Sequence, residues 1–172
     1  MESVEVLKNA FGGAHMWYQG TVADVTEEQA NTVPPGVTHP IGGLMAHILH
    51  CEDFMINQVI LGKPPLWERD GWKERVGGEM MLDEDVDTAR AYTCNLPAML
   101  DYGQAVIANT EAFLAELKTS DLDRELNLVP LGFPNNMTAG VFLTTMLLGN
   151  TYAHTGEISC LKGSLGKKGY PF

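Results

Sequence analysis

Apolar residues return every three or four positions through four stretches of the chain. Val4, Leu7, Phe11, Tyr18 and Val22 mark a first amphipathic helix over about residues 2–22. It gives way to "VTEEQANTVPPGVTHP", where Pro34, Pro35 and Gly36 break the helix and Thr38 or His39 is placed to cap a second one with Pro40 in its first turn. That second helix, about residues 39–62, carries Ile41, Leu44, Ile48, Cys51, Met55 and Val59 and stops at "LGKPP". The pattern weakens between residues 64 and 94, which predicts a long crossover with short helices, pinned to the body by Trp67 and Trp72. Asn95 caps a third helix over about 96–118, with Pro97 at its start and Met99, Leu100, Val106, Ile107, Phe113, Leu114 and Leu117 facing inward. The turn-rich "TSDLDRELNLVPLGFPNN" leads to a fourth helix over about 137–165, and strand-type alternation is nearly absent. The predicted fold is all-α: one domain over residues 1–172, a four-helix bundle with a long crossover between helices two and three.

The fourth helix carries three polar groups where an apolar stripe is expected. At ~100° per residue, Asn150, His154 and Glu157 fall within roughly 60° of one another, on the stripe of Leu143, Leu147 and Leu161. They are predicted to point into the bundle. On the second helix the same geometry sets Leu44, Cys51 and Met55 at the centre of the buried stripe, His47 about 60° to one side and His50 about 120° away. His47 is thus expected inside and His50 near the edge. Burying an unpaired amide, imidazole or carboxylate costs roughly 1–3 kcal/mol each, so these groups must be paired, hydrated or bound to a metal. A lone interior histidine is commonly a hydrogen-bonded core residue. Two on different helices, with a carboxylate one turn from one of them, also suit a mononuclear metal site in a bundle core. Neither Glu-x-x-His nor His-Glu-x-x-His occurs, which disfavours a di-iron oxidase and a zincin, and no phosphate-binding, dinucleotide or nucleophile-elbow motif is present.

Charge narrows the partners. Twenty-two acidic against 11 basic side chains give a formal charge of −11, which repels a nucleic-acid backbone. "MESVEVLKNAF" holds no apolar leader and no stretch approaches the ~18 apolar residues of a membrane span, so a cytoplasmic protein without membrane attachment is expected. Cys51, Cys94 and Cys160 are odd in number and contain no C-x-x-C pair, which predicts reduced thiols.

"NTYAHTGEISCLKGSLGKKGYPF", with "HPIGGLMAHILHCEDFMINQVILG" and "DRELNLVPLGFPNNMTAGVFLTTMLLGN", resembles the DinB-like (YfiT-type) metalloenzyme superfamily over most of the chain. The resemblance implies an up-down-down-up four-helix bundle, usually dimeric. It also implies a divalent metal, zinc or nickel, held by one histidine of the second helix and two of the fourth spaced four apart. Carried over, these positions are His47, Asn150 and His154, so an amide stands where the family has an imidazole. Amide oxygen is a poor ligand for zinc or nickel, and the metal is expected to be weakly bound or absent, with Glu157, Cys51, His50 or His15 as possible helpers. The implied function is a metal-dependent transferase or hydrolase acting on a small molecule with a low-molecular-weight thiol as cosubstrate. The alternative is a non-catalytic, stress-associated bundle whose degenerate site is a hydrogen-bond network or binding pocket. A homodimer is expected in either case.

Overall fold

The computed structural model describes residues 2–83 and 85–172, and these are mostly helical. The first helix, α1 (Ser3–Val22), is followed by the short α2 (Glu27–Asn31), which starts at a capping box: Thr26 Oγ1 accepts from the Gln29 N–H, and the Gln29 side chain accepts from the Thr26 N–H. Helix α3 (Ile41–Asp53) runs without a break into a wider π-helical stretch, Phe54–Ile60. The crossover holds α4 (Leu66–Arg69), α5 (Trp72–Val76) and α6 (Val86–Ala91). Asn95 then caps α7 (Leu96–Glu116) by accepting from the Ala98 N–H.

The next connection contains a feature too short to leave an alternating pattern. Strands β1 (Glu125–Leu126) and β2 (Met137–Thr138) pair antiparallel, with Glu125 opposite Thr138 and Leu126 opposite Met137. Helix α8 (Ala139–Val141), a second π-helical stretch (Phe142–Leu148) and α9 (Gly149–Ser164) then form one continuous rod. Helix α1 packs on α9 and α7, and α3 packs on α7 and α9.

Side chains that compete for main-chain carbonyls account for the two wide stretches. Asn57 Nδ2 donates to the Asp53 carbonyl at 3.2 Å, the acceptor that a regular α-turn reserves for the Asn57 N–H. In the second stretch the Thr144 hydroxyl donates to Gly140 O at 2.8 Å and that of Thr145 to Val141 O at 2.7 Å. Such back-bonding loosens the i to i−4 ladder, and each wide turn rotates the downstream residues relative to those upstream.

Every residue of α3 from Ile41 to Asp53 is buried. An amphipathic stripe cannot account for this, because the crossover covers the face of α3 that α7 and α9 leave open: α4 and α6 both pack on it. Close contact is built in at Gly42, where a methyl group would lie 2.5 Å from Cys94 Cβ and 2.9 Å from Ala30 O. Cys94 is buried there, its thiol pushed up to about 12 by burial first and by the charge of Glu27 second. Cys51, Cys94 and Cys160 are thiols, none of them in a disulfide. Helix α9 is tied to the end of α1 by Lys162, whose buried ammonium donates to Thr21 O at 2.6 Å and to Asp24 Oδ1. A cation at a helix C-terminus satisfies a carbonyl the helix leaves open.

The apolar core falls into two clusters. One includes Tyr18, Val22, Leu44, Ile48, Ile107 and Ile158; the other includes Leu7, Phe11, Ile56, Leu114 and Leu147. Between them each long helix carries buried polar residues: His15 on α1, Glu52 and Asp53 on α3, Thr110 on α7, Thr151, His154 and Thr155 on α9. A polar layer therefore crosses the middle of the molecule. Among the described residues no helix is long and apolar enough to cross a membrane.

Candidate functional site

Helices α3 and α9 bring His47 and His154 together at the edge of this layer. Their ring centroids are 4.8 Å apart and their planes stand at 87°. His47 Nε2 lies 3.1 Å from Asn150 Oδ1; with the amide oxygen as acceptor, the Nε2–H is the donor. His154 Nδ1 donates to Glu157 Oε2 at 2.9 Å, and in the tautomer that carries its proton on Nδ1 the acceptor nitrogen is Nε2. A carboxylate on the far nitrogen is the arrangement that fixes the tautomer and orientation of a ligating histidine. Cys51 Sγ is 3.7 Å from both nitrogens of His47, and it also donates to Leu82 O at 3.8 Å. Asn150 Nδ2 is buried with no hydrogen-bond partner.

A small cavity of about 10 Å³, room for roughly one water-sized particle, is lined by His39, Gly43, Leu44, His47, Met81, Asp83, Ala89 and His154. Gly43 supplies backbone without a side chain at this wall, and Met81 and Asp83 come from the crossover.

The other sequence candidates differ from expectation in burial or in partner. Glu157, expected to point inward, has a side chain 53% exposed and reaches the site from the rim. Asn150 is half-buried. The inner face of α9 is formed by Thr151, Thr155, Ile158 and Lys162 as well as by leucine, and a stripe drawn through leucines alone is centred too far towards Asn150 and Glu157. His50, expected near the edge, is fully buried. Its Nδ1 accepts from the Met81 N–H at 2.9 Å and its ring packs on Trp67 and Tyr102, with centroids 4.3 and 5.7 Å away. His15 is not part of the pair either: its Nε2 meets Glu52 Oε1 at 2.9 Å. Burial lowers the His15 pKa, but the Glu52 hydrogen bond and the charges of Glu52 and Glu111 outweigh it, and the net shift is upward.

Burial first, and then the charge of His47, push the pKa of His50 from 6.5 down to about 3. Below pH 6.5 the unfolded chain takes up a proton at His50 that the folded chain refuses. The stability present above that pH is therefore lost as acid is added, by up to about 1.4 kcal/mol per pH unit. His50→Gln retains an acceptor for the Met81 N–H and removes the titration. Urea midpoints measured from about pH 6.5 down to 4 should fall less steeply in this variant than in the wild type; equal slopes would contradict the assignment.

Sequence reasoning passed over Asp53, whose carboxylate organises the entry to the crossover. Oδ1 accepts from Asn57 Nδ2 and from the Leu66 N–H, both at 2.8 Å, and Oδ2 from the Trp67 N–H at 2.9 Å and the Tyr102 hydroxyl at 2.8 Å. It caps α4 from another helix, because Pro65 at the cap position offers no side-chain acceptor. The signal was available in "HCEDF", two acids inside an otherwise apolar helix.

An α-helical protein in which two long helices bury a histidine pair, one ring steadied by a carboxylate, is the class these features define. The chain belongs to the DinB superfamily, whose family model matches residues 12–158. It is similar in fold to a conserved protein from Enterococcus faecalis known by crystal structure, with a TM-score of 0.79 and 22% identity over 97% of this chain and 99% of that one. No curated protein matches the chain.

Proposed function

We propose that this DinB-superfamily chain is an up-down-down-up four-helix bundle of one domain, cytoplasmic and homodimeric. Its His47–Asn150–His154 pocket takes one divalent cation, zinc or nickel, for transferase or hydrolase chemistry on a small molecule. The observation that carries this reading is the 4.8 Å approach of the two imidazoles, with Glu157 steadying His154 and Asn150 on His47. The donor set fits an ion only weakly. Among the described residues no group of three or more His, Cys, Asp or Glu side chains is placed to hold a metal. The set therefore depends on an amide oxygen, and His47 Nε2 must give up the proton it donates to Asn150.

A cation held there would supply Lewis acidity and would lower the pKa of a bound thiol or water. The residues of the chain do the rest. His154 presents Nε2 while Glu157 holds Nδ1, Asn150 Nδ2 offers an unsatisfied donor to a substrate oxygen or sulfur, and Met81 and Leu44 exclude bulk water. With nickel or zinc supplied, the wild type should consume a free thiol such as cysteine in the presence of an alkylating electrophile faster than buffer does, and His154→Ala should not. Equal rates for both proteins would remove the enzymatic reading. The second reading, a non-catalytic bundle, draws on the His47–Asn150 hydrogen bond, which pairs the His47 Nε2–H with the Asn150 amide oxygen without metal.

A further inference from the structure

Cys51 and the crossover segment 81–83 belong to two neighbouring spaces. Cys51 touches His47, and Met81 and Asp83 line the histidine cavity. Cys51 and Leu82 also line a half-open cleft of about 270 Å³. Leu82 O meets the Cys51 sulfur, and the two spaces adjoin through the Cys51–His47 contact and through successive residues of one stretch of crossover, Met81 and Asp83 on the cavity and Leu82 on the cleft. The remaining walls are Phe54, Met55 and Val59 from the first π-helical stretch and Leu131, Gly132 and Phe133 from the loop between β1 and β2. Among the described residues no Asp, Glu, Lys, Arg or His lines this cleft.

We propose that this cleft binds the apolar part of a neutral small-molecule substrate, seating a single aromatic ring with a short substituent, while the polar end of that molecule reaches the His47–Asn150–His154 pocket. The size argument is direct: a cavity of about 150 Å³ accepts benzene, and 270 Å³ adds room for a substituent. Charge is excluded because an ionised group in this cleft would be desolvated without a partner, and the formal charge of −11 further opposes an anion. The π-helical stretch has a local cause in the Asn57 back-bond, and it places three side chains of the cleft directly after the helix that bears His47. Only the identity of the reactive end rests on the proposed function; the cleft itself does not need the metal.

The test is titration of the full chain, carrying ¹³C-methyl methionine, with 4-fluorotoluene, benzyl alcohol and benzoate. Met55 lines the cleft, whereas Met45 and Met99 lie in the core and serve as controls. The Met55 methyl signal should shift saturably with both neutral probes, and the His47 ring protons should shift as well with benzyl alcohol. Val59→Trp on one wall, or Leu131→Trp at an exposed position on another, should weaken both neutral probes by about tenfold or more, with benzoate weaker than either probe by a similar factor. His154→Ala should bind 4-fluorotoluene as the wild type does, which separates a failed cleft from a failed metal site. The proposal is overturned if Met55 does not move, if both tryptophan variants bind like the wild type, if Met45 and Met99 shift in parallel with Met55, or if His47 is silent to benzyl alcohol.

Discussion

Replacing Asp53 with alanine is expected to destabilise the fold by about 3–5 kcal/mol. The carboxylate is 1% exposed and accepts four hydrogen bonds, two of them from main-chain N–H groups that no other side chain in the first turn of α4 is placed to satisfy. Its removal leaves those donors buried and unpaired, which costs far more than the net worth of the bonds themselves. Tyr102→Phe removes only one of the four, and a loss of about 1 kcal/mol is expected. Urea unfolding followed by circular dichroism gives both values. A loss below about 1 kcal/mol for Asp53→Ala would mean that α4 finds its cap elsewhere. Because the crossover beginning at α4 also delivers Met81 and Leu82, the variant should loosen the roof of the histidine cavity as well, read as faster amide exchange at residues 79–83.

Asn150→His is expected to raise the affinity for zinc or nickel by at least about tenfold. Position 150 lies one turn before His154 and its side chain already reaches His47 Nε2, so an imidazole there replaces a weak amide donor by a strong one. It also removes the acceptor that holds the His47 proton, which opposes metal binding in the wild type. Calorimetric titration at pH 7.5 compares the two proteins. An unchanged affinity would show that the side chain at 150 does not face the ion.

The four long helices were legible because apolar residues recur every three or four positions in each, and because Pro34–Pro35, Pro64–Pro65 and Asn95 punctuate them. The pairing of His47 with His154 was proposed from helical phase and from resemblance, and the structure places the two rings side by side. What escaped has identifiable causes. The full burial of His50 depends on a crossover whose own pattern is weak, so nothing local to "AHILHC" announces that its outer face is covered. The exposure of Glu157 follows from two effects a uniform 100° step cannot contain: the wide turns at Phe142–Leu148 and an inner face built partly from threonine and Lys162. The strands β1 and β2 are two residues each, too short for a period to appear. Asp53 and Glu52 were visible as acids in an apolar helix, and the desolvation argument applied to the fourth helix reaches them equally well.

The central claim is that His47 and His154 form one site, and zinc titration of the wild type, His47→Ala and His154→Ala at pH 7.5 and at pH 5.5 tests it most directly. Imidazole must be deprotonated to ligate, so one-to-one binding is expected at the higher pH, weakening by about tenfold or more at the lower. Either alanine variant should lose it at both. Binding that survives in His154→Ala, or an affinity indifferent to pH, would contradict a shared histidine site.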